Sequence, residues 1–65
     1  MINDVQKAVV RDLLKHRNDP MSLEDIVKIT NLDEKIVDEV IEFYFARGYI
    51  DFVLEDSQPQ KFMWD

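Results

Sequence analysis

Two helix-start signals stand eleven residues apart in this 65-residue chain, at Ser22 and Asp33, and its lone glycine, Gly48, falls where the second of those helices must end. Ser22 is an N-cap residue type with Asp25 at the capping-box position, although that motif prefers Glu there. Met21 before the cap and Ile26 beyond it form a hydrophobic staple, and Leu32 with Val37 repeats the device around Asp33. Between the two helices Thr30-Asn31-Leu32 reads as a tight turn, with Asn31 among the few non-glycine residues tolerant of left-handed backbone. Gly48 supplies the left-handed residue that closes a helix C-terminus. After it, Tyr49 to Leu54 is rich in β-branched and aromatic residues. Such punctuation admits a short helix, a turn, a longer helix and a strand, and little else.

The flanks complete the outline. Asn3 caps a first helix with Gln6 placed to close a capping box, and the helix should stop before Asn18-Asp19-Pro20 because proline disfavours helix in the residue before it. Its Val5, Ala8, Val9 and Leu13 recur at helical spacing and are expected to face the core. Ile26, Val27 and Ile29 should supply the buried side of the second helix. On the third, Val37, Val40, Ile41 and Tyr44 cluster on one side, flanked by Ile36, Phe43 and Phe45. Ile50, Phe52 and Leu54 share one strand face. A loop over 55–60 then allows Lys61 to Asp65 to return as an antiparallel strand carrying Phe62 and Trp64 on one face. The expected triplet packing has Phe43, Tyr44 and Phe45 wedged between the helices and the hairpin.

Helix, helix, turn, helix and hairpin in this order resembles a winged helix-turn-helix domain. The resemblance is closest from Asp25 to Ile50, through Ile26-Val27, Thr30-Asn31-Leu32, the capping Asp33, the apolar Val37, Val40, Ile41 and Phe43, and the closing Gly48-Tyr49-Ile50. It implies a mainly α fold with a C-terminal β-hairpin, three helices plus a wing, as a single domain over residues 1–65. The fold hosts DNA-binding regulators and protein-interaction modules alike. In DNA-binding members the third helix enters the major groove and basic wing residues touch the adjacent backbone. Carried onto this chain, the reading positions are Glu34, Lys35, Asp38, Glu39 and Glu42, and the wing tip is Glu55, Asp56 and Gln58.

Those positions are acidic where a DNA reader is basic. Net charge is −6, and it is unevenly placed. Residues 1–21 carry four bases against three acids, whereas residues 22–47 carry three bases against seven. One carboxylate can accept from a cytosine amine, but four beside an acidic wing repel the phosphates on which they must dock. Base is concentrated on the first helix, where Lys7, Arg11 and Lys15 stand four apart with Arg17 just beyond and Val10 and Leu14 alongside.

Other chemistry finds little footing. Cysteine is absent, which removes disulfides, thiolate ligands and thiol nucleophiles together. The single histidine, His16, sits at a helix end where it favours the helix dipole. Asp38 and Glu42 lie one turn apart, as a carboxylate pair would, but a solvated acidic face explains them. No signal-peptide core or membrane-length apolar run is present. The expectation is a cytoplasmic, non-enzymatic domain with no cofactor, metal, small-molecule substrate or membrane contact.

Three readings follow. First is a small acidic protein-interaction module, a subunit or adaptor of replication or transcription machinery, using Glu34, Asp38, Glu39, Glu42, Glu55 and Asp56 to meet a basic partner. The alternative is a dimeric DNA-binding transcriptional regulator whose contacts are Lys7, Arg11, Lys15, Arg17 and Lys35; charge disfavours it. A third is a structural homodimer joined through Val10, Leu14 and the aromatic edge.

Overall fold

The computed structural model describes residues 1–17, 19–54 and 60–65. These form, in chain order, α1 (Asp4–Lys15), β1 (Met21–Ser22), α2 (Leu23–Thr30), α3 (Glu34–Ala46), β2 (Ile50–Val53) and β3 (Lys61–Trp64). The three strands make one antiparallel sheet in the order β1-β3-β2. Three helices with a small antiparallel sheet are compatible with the expected winged architecture.

The helix ends form as the punctuation predicts. Gln6 N–H donates to Asn3 Oδ1 at 2.8 Å and Asn3 N–H donates to Gln6 Oε1 at 2.9 Å, a complete capping box. Ser22 Oγ accepts from Asp25 N–H at 3.2 Å, and Asp33 Oδ1 accepts from Lys35 N–H at 2.8 Å. Asn31 is left-handed at φ 58°, as is Gly48 at φ 82°. At the end of α3, Gly48 N–H donates to the Phe45 carbonyl at 3.0 Å and Tyr49 N–H to the Tyr44 carbonyl at 2.9 Å. These two bonds are the Schellman closure, which satisfies carbonyls that the helix end leaves without partners.

The core holds Val10 and Leu14 of α1, Met21, Ile26 of α2, Val37, Val40, Ile41 and Tyr44 of α3, Ile50 and Phe62. The four α3 residues are those the periodicity selects. The expected face of α1 holds only in part: Leu13 packs half-buried against the core and Ala8 is half-buried. Val5 and Val9 are 72% and 40% exposed, and the buried pair is Val10 and Leu14. At roughly 100° per residue the two faces are about 140° apart. Apolar residues lie on both, so spacing could not choose; docking against α3 and β3 did. Burial of Val10 and Leu14 takes those two residues out of the surface expected to join a homodimer and leaves only its aromatic edge. Ile29, expected inside, is 50% exposed, and Val27 is only half-buried.

Strand faces need a similar correction. Ile50 is buried, but Phe52 and Leu54 on the same face are 42% and 75% exposed. The expected hairpin acquires a third strand: Met21 pairs with Phe62 and Ser22 with Lys61. Met21 thus serves both as the residue before the α2 cap and as a sheet partner.

Candidate protein-interaction surface

Because Asp33 starts α3 in a register that sends Val37, Val40, Ile41 and Tyr44 inward, the remaining arc of the helix presents Glu34, Asp38, Glu42, Lys35 and Glu39. All five are exposed. Four carboxylates against one ammonium give this arc a strong negative potential. The Glu39 carboxylate lies 3.9 Å from the N-terminal ammonium of Met1, with both groups well solvated, a pair of small energetic weight. Glu55 and Asp56, the wing-tip members of the expected site, lie outside the described residues.

Glu34 and Asp38 also border a groove of about 710 Å³ between α2, α3 and β3. Its apolar lining is Leu23 and Val27 of α2 and Phe62 of β3, and Glu24 and Lys28 stand along the α2 side. Those two form an i, i+4 ion pair at 3.8 Å. Lys35 lies on a shallower extension shared with Leu23, Glu34 and Asp38. Neither Glu34 nor Asp38 is in an ion pair among the described residues.

An aromatic ledge continues from the groove. Phe45 of α3 and Phe52 of β2 are stacked, 4.1 Å between centroids and 4° between planes, yet remain 45% and 42% exposed. Phe52 meets Phe62 edge-on at 5.4 Å. Phe62 therefore belongs to groove, ledge and core at once. A third exposed ring, Tyr49, stacks on Trp64 at 5.5 Å, and Trp64 packs edge-on against Tyr44. Of the Phe43-Tyr44-Phe45 triplet, Tyr44 is buried, Phe43 half-buried and Phe45 open to solvent on one face, so the expectation of three wedged rings fails at Phe45.

The basic stripe on α1 is not a row of free cations. Lys7 has only 24% of its side chain exposed, holds Asp4 at 3.2 Å, and places its ammonium 4.5 Å from the centre of the Phe43 ring. Arg47 lies 3.7 Å from the same ring and donates to the Phe43 carbonyl. Arg11 Nε lies 3.2 Å from Asp12 Oδ1. Lys15 and Arg17 are exposed at the end of α1. Lys7 is thus part of the packing between α1 and α3 and not a projecting contact.

Reading the sequence alone located the acidic arc but missed the groove and the ledge. Leu23 and Val27 look like ordinary helix-core residues, and nothing in their spacing announces that Phe62 will be laid beside them. A signal for the ledge was present: Phe45 sits on the polar arc of α3, where a third core ring does not fit.

Among solved structures, the chain is similar to one in the crystal structure of the Giardia lamblia Hop2-Mnd1 complex, with a TM-score of 0.80 over 94% of this chain at 14% identity. It spans 38% of that chain's length. At this identity the likeness is one of fold. No protein-family model matches the chain, and neither does any curated protein. No described helix is long and apolar enough to cross a membrane.

Proposed function

We propose that this chain is a winged helix-turn-helix domain that works by binding protein, as an acidic subunit or adaptor within nucleic-acid machinery, and that it is not an enzyme. The observation carrying this reading is the composition of the outward arc of α3. In a DNA reader this arc enters the major groove between two phosphate backbones; here it offers Glu34, Asp38, Glu39 and Glu42 beside the exposed Phe45–Phe52 stack. Acid with exposed aromatic surface suits a basic protein partner, since opposite charge speeds encounter and a desolvated ring anchors the complex. The fold neighbour was solved as part of a complex, which is in keeping with an assembly role.

Affinity capture from the native host, with mass spectrometry of the retained proteins, tests it. Glu39→Lys with Glu42→Lys should weaken capture, chiefly by slowing association. Both positions are exposed and away from the Val37–Val40–Tyr44 stripe, so the fold should persist. Lys7→Glu with Arg11→Glu, compared at equal folded fraction, should matter less to the same partner. The opposite ranking would move the functional surface to α1 and favour the DNA-binding regulator.

A further inference from the structure

We propose that the groove between α2, α3 and β3 is an arginine-reading site: it seats one arginine of a basic partner segment, with the aliphatic stem on Leu23, Val27 and Phe62 and the guanidinium between Glu34 and Asp38. This rests on the reading of α3 as a protein-docking face and adds to it a specificity determinant away from Glu39 and Glu42.

Three features select that occupant. The lining is apolar at its base, where Phe62 is buried and Leu23 and Val27 are half-buried, and acidic at its α3 edge. A guest must therefore be apolar along its length and cationic at its tip, as arginine and lysine are. Charge within the groove is negative: Lys28 is matched by Glu24 at 3.8 Å, which leaves Glu34 and Asp38 uncompensated among the described residues. Lys35 lies only on the shallower extension. Lastly, Glu34 and Asp38 are one helical turn apart, so their side chains start roughly 5–6 Å from each other on one face. That spacing suits a planar fork of donors that can address two carboxylates together, and suits a single compact ammonium less well. Phosphate is excluded by the same carboxylates, so the guest is a peptide and not a nucleic acid. At about 710 Å³ the groove also has room for residues flanking the arginine.

The test is a titration of the isotopically labelled chain, followed by amide NMR shifts at low salt, with acetyl-Leu-Arg-Leu-amide and its Lys- and Gln-centred counterparts. Saturable shifts should fall on Leu23, Val27, Phe62, Glu34 and Asp38, with the Arg peptide tighter than the Lys peptide and the Gln peptide unbound. Asp38→Asn, and separately Glu34→Gln, should each weaken the Arg peptide about tenfold, the loss expected for one charged hydrogen bond. Asp51→Asn, at an exposed carboxylate on β2 outside the groove, should leave it unchanged. Thermal melting of each variant ensures that only folded protein is compared. Equal binding of the Gln peptide, shifts elsewhere on the chain, or no saturation up to about 10 mM would overturn the assignment. If Glu39→Lys with Glu42→Lys abolishes partner capture while the Arg peptide misses the groove, the acidic-face reading stands and the arginine site falls. If the peptide fills the groove and those reversals are silent, the outcome is reversed.

Discussion

Met21 and Phe62, 41 positions apart in the chain, are directly opposed in neighbouring strands, and both are buried. Phe62 is at the same time opposed to Phe52 on its other side. The last strand of the chain is thus the middle of the sheet, joined to the start of α2 on one edge and to the return from α3 on the other. Deleting residues 61–65 removes that centre, and circular dichroism should show the protein unfolded or nearly so at room temperature. Phe62→Ala should cost about 3–5 kcal/mol. A truncated chain with an unchanged melting temperature would contradict the role given to β3.

Two left-handed residues punctuate the α3 region, and they predict opposite responses to substitution. A Cβ at Gly48 would meet nothing within 4 Å, so Gly48→Ala carries no clash and only the backbone term of the φ 82° conformation. Urea denaturation should report a loss of roughly 1–2 kcal/mol, with Gly48→Asn losing less. Asn31 at φ 58° should instead tolerate Asn31→Gly with little change.

Lys7 should behave as a structural residue. Its ammonium meets the Phe43 ring and Asp4, and its stem is largely covered. Lys7→Ala should lower stability by about 0.5–1 kcal/mol, whereas Lys15→Ala, exposed at the helix end, should stay within about 0.5 kcal/mol of wild type. Equal melting temperatures for the two variants would return Lys7 to the set of free surface cations.

Duplex DNA supplies a further discriminating measurement. With four carboxylates on the outward arc of α3, binding to random duplex near physiological salt should be weaker than the usual non-specific range of about 10⁻⁴–10⁻⁶ M. A micromolar gel shift with a steep salt dependence would overturn the interaction-module reading and promote the DNA-binding regulator.

Local signals in the chain carried the element order. The caps at Asn3, Ser22 and Asp33, the turn at Asn31 and the stop at Gly48 depend on hydrogen bonds spanning two to five residues, so they are readable from neighbouring letters. So was the buried stripe of α3, where one face is apolar and the opposite one charged. The acidic arc followed from the same contrast.

What the sequence by itself determined is therefore what short-range geometry sets: helix starts and stops, the core face of α3, and where the negative charge lies. Only the tertiary structure decided which apolar face of α1 is buried, since Val5 and Val9 compete with Val10 and Leu14 until α3 and β3 are present. It likewise joined Met21 to Phe62, stacked Phe45 on Phe52 and drew Lys7 onto Phe43. Those contacts link residues from 7 to 41 positions apart, and the free energy that selects them arises from surfaces that exist only once the elements have docked.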